Sequence, residues 1–232
     1  MELKIFELEN PIKFSDSFVN VLEIQNLKLY RSVVARFYQV FNGIETNTPF
    51  SVTKDGKFFE LKKDFCIIQN PFDLTNINKA VSTKLIKYII QQISSLDKEL
   101  KLTQIIEDLK NEFNNIFIDL DLDLEYNADV GIAEMLKTIN PKLSFEDYNN
   151  ISGIYQKLFN VSAKLNAFDL IILINAKQYL TEEELIQIYK SAKIYNLNIL
   201  VLEPTIQTKI LPYENKLSVD EDLFEQTLIS YV

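Results

Sequence analysis

Two hydrophobic periods divide the chain. Toward both ends, short apolar runs have the spacing of strands; between them, apolar residues recur every three or four positions, as in helices. Residues 3–8 and 18–24 read as strands, the second being Phe18-Val19-Asn20-Val21-Leu22-Glu23-Ile24. Asn26 stands as the N-cap of a helix to about residue 42, and Gly43 is its stop. Tyr30, Val33, Val34, Phe37 and Phe41 form its apolar stripe, with Lys28, Arg31, Ser32 and Arg36 on the polar side. Segments 49–53 and 57–61 bracket Lys54-Asp55-Gly56, which has hairpin-turn chemistry. A buried strand follows at 65–69 and ends at Asn70-Pro71, where proline disfavours helix in the residue before it.

From 76 to about 96 the period is helical. Val81, Leu85, Ile89, Ile93 and Leu96 make one stripe, widened by Ile86 and Ile90. If the helix continues past Ser94-Ser95, Lys84, Lys87, Gln91, Ser94, Lys98 and Lys101 line its other side, basic at both ends. Further helices are predicted at 102–113, 130–139 and 145–165. Strand spacing then returns: 170–174 is wholly apolar, Thr181-Glu182-Glu183-Glu184 opens a helix with a capping box, and 197–203 is a second buried strand closed by Pro204. Strand, helix, strand makes a right-handed βαβ unit. The pattern predicts an α/β head built from 1–76 and 166–232, with a helical excursion over 77–165 inserted into it.

The chain has 232 residues, 47% of them hydrophobic, enough for one or two domains with a sizeable core. No apolar run approaches the roughly 20 residues that cross a bilayer, so the expected location is cytoplasmic. Cys66, the one cysteine, lies in an apolar run and reads as a small buried hydrophobe. The absence of histidine removes the usual general base and the imidazole zinc ligands. Four glycines, at 43, 56, 131 and 153, build no phosphate-binding loop, and Asn175-Ala176-Lys177 after a strand is weak support for a nucleotide site. The net charge of −9 argues against a nucleic-acid partner until its distribution is read. Residues 111–150 hold nine acids against two lysines, whereas 25–63 hold seven basic residues against three acids.

The densest charge lies at 117–126, where Asp119, Asp121, Asp123 and Glu125 alternate with Ile118, Leu120, Leu122 and Leu124. An extended backbone puts the four carboxylates on one face, about 7 Å apart. Asp129 and Glu134 follow. Such a cluster is stable fully solvated, paired with basic side chains, or around a hard cation. Calcium, with six to eight flexible oxygen ligands, suits it better than magnesium.

In order and spacing, several short segments now add up. They are Asn70-Pro-Phe-Asp-Leu-Thr-Asn-Ile-Asn-Lys79, Leu122-Asp-Leu-Glu-Tyr126, Glu134-Met-Leu-Lys137, 170–176, Tyr179-Leu-Thr181, 196–202 running into Leu202-Glu-Pro204, and Val219-Asp-Glu-Asp-Leu-Phe224. Over 70–224 the chain resembles the Csn-two family, CRISPR-associated accessory proteins of type II-A systems. Where that family has arginine after Leu-Glu-Pro, this chain has Thr205. The resemblance implies an α/β head with a degenerate P-loop-NTPase-like parallel or mixed sheet and an inserted, extended helical leg. It further implies a non-catalytic homotetrameric ring around double-stranded DNA ends, acting in spacer acquisition with the adaptation proteins and the effector nuclease. Calcium on leg carboxylates is implied too; the candidates here are Asp121, Asp123, Glu125, Asp129 and Glu134. For DNA the candidates are Lys28, Arg31, Arg36, Lys84, Lys87, Lys98 and Lys101. Only the lining of such a ring needs to be basic, since phosphate contacts carry no base readout. A metal-dependent nuclease using the acids at 119–134 is the alternative.

Overall fold

A computed structural model describes residues 1–44, 50–54, 56–58, 65–120, 129–145 and 147–230. They form two compact units, Met1–Ile77 with Phe145–Val232, and Asn78–Ser144.

The first unit is α/β. Its main sheet has six strands: β3 (Val19–Ile24), β6 (Phe65–Ile68), β7 (Leu170–Ile174), β8 (Ile199–Glu203), β9 (Glu214–Val219) and β10 (Glu225–Ile229). They stand in the order β10-β9-β3-β8-β7-β6, parallel except for β10, which runs antiparallel to β9. A small antiparallel sheet holds β1 (Glu2–Ile5), β2 (Ile12–Lys13), β4 (Phe50–Lys54) and β5 (Lys57–Phe58), in the order β2-β1-β4-β5. Helices α1 (Leu27–Phe41), α5 (Ile151–Leu165) and α6 (Glu182–Ile194) complete the unit. The predicted caps form: the Asn26 side chain accepts from the Leu29 N–H, and Gly43 takes the left-handed φ of +69° that stops α1. Thr181 and Glu184 exchange their capping-box bonds at 3.3 and 2.8 Å.

Alternation along the strands sorts the two faces of the main sheet. Leu22, Ile24, Leu170, Ile172, Ile174, Leu200, Leu202, Leu217 and Val219 share one apolar cluster with Phe37 of α1 and with Leu3, Ile5 and Val52 of the small sheet. Intervening residues face the other way, among them Glu23, Glu203, Glu214 and Lys216. Helix α5, which sequence periodicity assigns to the excursion, belongs to this first unit; its Tyr155, Leu158 and Phe159 are buried.

The second unit is helical. It contains α2 (Thr75–Ser95) from Asn78 onward, α3 (Glu99–Asp119) and α4 (Ile132–Ile139). The basic stripe expected to run along one helix is interrupted: α2 stops at Ser95, Asp97 adopts a left-handed φ of 52°, and Lys98 is the N-cap of the next helix. A second difference concerns the acidic stretch. Phe117, Ile118 and Asp119 are the last turn of α3 rather than extended chain, with Leu120 as its C-cap. Ile118 and Leu120 are exposed. Among the described residues no helix is long and apolar enough to cross a membrane.

Candidate functional site

In open parallel sheets, ligands bind beyond the carboxyl ends of the strands, where the direction of the connections reverses. Here that place lies between β3, whose chain continues toward β6, and β8, whose chain continues toward β9. Glu23 and Glu203 stand there side by side in the register. Each is the one charged residue of an otherwise apolar or neutral strand, and both are buried.

These carboxylates meet the protein's own charges. Lys177, in the short 3-10 turn Ala176–Gln178 after β7, places its ammonium 3.0 Å from Glu23 Oε1 and 3.0 Å from Glu214 Oε1. Lys216 lies 3.3 Å from Glu23 Oε1 and donates to the carbonyls of Gln207 and Lys209 at 2.9 and 2.7 Å. Glu23 Oε2 accepts from the Gln207 N–H at 3.0 Å, and Glu214 Oε2 from the Leu211 N–H at 3.0 Å. Two carboxylates and the Lys216 ammonium thus tie the β8–β9 connection to the sheet, and Lys177 pairs with both carboxylates, all nearly sealed from water. Leaving any of these groups unpaired at that depth would be costly, which is why each finds a charged or backbone partner.

Glu203 differs from its neighbours. Its Oε1 accepts the Lys177 backbone N–H at 2.8 Å. Burial pushes its carboxyl up to about 7; the Lys177 N–H and ammonium oppose this, while Glu23 and Glu214 add to it. Phenols surround the cluster. Tyr189 donates to Glu214 Oε1 at 3.1 Å, and burial first, then Glu214, holds its pKa well above the ordinary value. Tyr30 donates to Asn175 Oδ1 at 2.5 Å and, like the buried Tyr155, is raised chiefly by desolvation and then by Glu203. Cys66 is buried, and desolvation pushes its thiol up to about 12, an inert state.

The residues singled out for DNA are dispersed. Lys28 and Arg31 are exposed on α1, while Arg36 is bonded to Glu7. Lys84 is half-buried and Lys87 exposed on α2; Lys98 and Lys101 are exposed at the start of α3. Of the metal candidates, Asp121, Asp123 and Glu125 lie outside the described residues. Asp129 is exposed ahead of α4. Glu134 serves that helix: its carboxylate accepts the Gly131 N–H at 3.3 Å and faces Lys137 at 3.5 Å. Backbone N–H groups, its own foremost, hold its carboxyl below the usual range. Among the described residues no three acidic or cysteine side chains gather as a metal would require.

Comparison with known proteins decides the family. A family model described as CRISPR-associated protein (Cas_Csn2) matches residues 47–223. The chain belongs to the Csn2 family. A Csn2 relative from Streptococcus agalactiae, named CRISPR-associated protein Csn2, is 24% identical over 209 residues, covering 85% of this chain and 86% of the relative. The crystal structure of Stu0660 of Streptococcus thermophilus matches with a TM-score of 0.61 at 16% identity. It covers all of this chain and 76% of that one, a likeness of fold. Csn2 membership makes this a CRISPR-associated α/β protein, and Leu202-Glu203-Pro204, one of the segments behind the resemblance, ends inside the buried cluster. What the sequence reading missed is that Glu23, Lys177, Glu203, Glu214 and Lys216 act together. A lone acid in an apolar strand, at 23 and again at 203, was the available signal.

Proposed function

We propose that the chain is a non-catalytic, sequence-independent binder of double-stranded DNA ends. In this reading it works as a homotetrameric ring in spacer acquisition, beside the adaptation proteins and the effector nuclease. One observation supports it above the rest: the Glu23–Lys177 pair occupies the place where an α/β protein would receive a ligand. Counted in chain order, the parallel strands stand fifth, first, fourth, third, second, which accords with a P-loop-NTPase-like head. Its first strand leads into Gln25-Asn26 and a capped helix instead of a glycine-rich loop. With that place filled by internal pairs, the cations left for phosphates are surface ones, including Lys28, Arg31, Lys87, Lys98 and Lys101.

Calcium belongs to the same proposal. Asp121, Asp123, Glu125 and Asp129 would supply hard oxygen donors, and Glu134 would join by giving up its Gly131 bond. When bound, the ion neutralises acids that otherwise repel one another and the DNA.

The test is retention of linear duplex against salt. Each lost phosphate contact should flatten the log–log slope by roughly 0.9. We expect shallower slopes for Lys84→Glu/Lys87→Glu and for Lys28→Glu/Arg31→Glu, with closed circles not retained. Unchanged slopes in both, with an intact oligomer by native mass, would sink the reading. Metal-dependent cutting of the duplex would turn it toward a nuclease.

A further inference from the structure

Strand β10 is an open edge of the main sheet: it pairs with β9, and among the described residues no strand lies beyond it. Two hydrogen bonds fix which way its backbone faces. The Asp220 N–H donates to the Phe224 carbonyl at 3.1 Å, and the Ser230 N–H to the Glu214 carbonyl at 3.0 Å. Bonded and unbonded pairs alternate in an antiparallel ladder, and the register sets Glu225 opposite Val219 and Ile229 opposite Asn215. Residues 224, 226, 228 and 230 therefore turn their backbone groups toward β9. Glu225, Thr227 and Ile229 turn theirs outward.

Edges of this kind are ordinarily blunted with lysine or proline. Residues 217–230 contain no lysine, arginine or proline. The turn that feeds the edge is unusual as well. It is a three-residue hairpin loop in which the Leu223 N–H donates to the Asp220 carbonyl, and Asp220 Oδ1 accepts from the Asp222 and Phe224 N–H groups. Its left-handed position, where glycine is the natural choice, is Leu223 at φ 68°. That disfavoured backbone is not compensated by burial, because Leu223 is 54% exposed and Phe224 70%. Strain at a surface turn that displays two large apolar side chains points to use outside the fold.

The charge says what the edge fits. Asp220, Glu221 and Asp222 lie at its start. The Glu225 carboxylate is already held by the N–H groups of Glu9 and Asn10, at 2.6 and 2.9 Å, which steadies the strand. A second copy of this edge would bring no cation to those acids. We infer that β10 is a strand-addition site for an extended, basic segment of a partner protein. The outward N–H and C=O groups of Thr227 and Ile229 continue the ladder, Leu223 and Phe224 anchor an apolar side chain, and the acidic turn receives lysine or arginine.

The probe is an end-blocked synthetic peptide alternating valine with lysine, against its counterpart with glutamate in place of lysine, titrated onto the full chain. The basic peptide should protect the Thr227 and Ile229 amides from exchange and bind about tenfold or more tighter than the acidic one at low salt. Thr227→Pro removes one outward N–H and no bond to β9, so it should abolish that protection. Leu223→Gly relieves the backbone and removes the anchor; it should raise the melting temperature while weakening the peptide. Equal affinity for both peptides, or binding unaltered by Leu223→Gly and Thr227→Pro alike, would overturn the inference. So would self-association of the chain that Thr227→Pro dissolves, which would give the edge to a second copy.

Discussion

The two units treat the same side chains in opposite ways. In the first, Glu23, Glu203, Glu214, Lys177 and Lys216 are sealed together at one face of a sheet, and Glu23, Glu214 and Lys216 tie down the β8–β9 connection. In the second, the described charges are exposed or half-exposed, and two of their ion pairs join neighbours along a helix, Lys110 with Glu107 and Lys137 with Glu134. Exposed pairs contribute about 0–1 kcal/mol, whereas removing one member of a buried pair costs about 3–5 kcal/mol. Charge density along a sequence is therefore a poor guide to where charge matters for stability. Two glutamates, each the one charge of its strand, carry much of it.

The largest effect that would break this contrast comes from Lys177→Met, which leaves three buried carboxyls against one ammonium. Denaturant unfolding should show a loss of about 3–5 kcal/mol, against about 0.5 kcal/mol or less for Glu107→Ala. A loss below about 1 kcal/mol for Lys177→Met would mean the buried pairs matter no more than exposed ones.

Next comes pH. Glu203 rises from 4.5 to about 7 on folding, so the folded state favours its protonated form. The stability this contributes is complete below about pH 4.5, falls as pH climbs toward 7, and is gone above it. Glu203→Gln stays neutral throughout. The difference in unfolding free energy between wild type and this variant should therefore shift by about 3 kcal/mol between pH 4.5 and 8. Parallel curves would refute the assignment.

A slightly smaller effect tests the second unit. If calcium binds there, a hundredfold excess over its dissociation constant adds about 2.7 kcal/mol, and Asp123→Asn with Glu125→Gln should abolish that gain. Equal melting of wild type and double variant, in calcium and in chelator, would remove the metal from the proposal.

The smallest effects sharpen the contrast at helix starts. Thr181→Ala removes a side-chain cap from α6 and should cost about 1 kcal/mol. Helix α4 begins at Gly131, which has no side chain to cap with; an added Cβ there meets only Glu134 Oε2, at 3.5 Å. Gly131→Ser should stabilise by a few tenths of a kcal/mol, visible as a higher melting temperature.

Much of the fold was legible because local chemistry and tertiary placement agreed. Asn26, Gly43, Gly56 and Thr181 sit where their capping and turn chemistry requires, and the wholly apolar β7 is a buried parallel strand. β9 escaped the reading because Glu214-Asn215-Lys216-Leu217-Ser218-Val219 looks like a solvated segment. Its polar residues are buried only because Glu23, Lys177 and Tyr189 arrive from elsewhere in the chain to meet them. The acidic stretch departs from extended geometry at its start for the opposite reason: its alternation suits an extended backbone, but the helical run from Glu99 carries on through Asp119. The basic stripe failed at Asp97, where one left-handed residue ends a helix without glycine or proline. The candidate site was visible only as single weak signs, Lys177 after a strand and Glu203 before a proline.

The place of β3 in the sheet also governs how the protein is made. Its two neighbours, β8 and β9, begin 175 and more residues later, at Ile199 and Glu214. At roughly 5–20 residues per second, a ribosome keeps β3 waiting with both edges bare for roughly 10–35 s. Glu23 meanwhile remains hydrated, with none of the lysines that will bury it yet synthesised. A strand near the middle of the sheet is thus enclosed only when the chain is nearly finished, and until then Glu23 is its one charge.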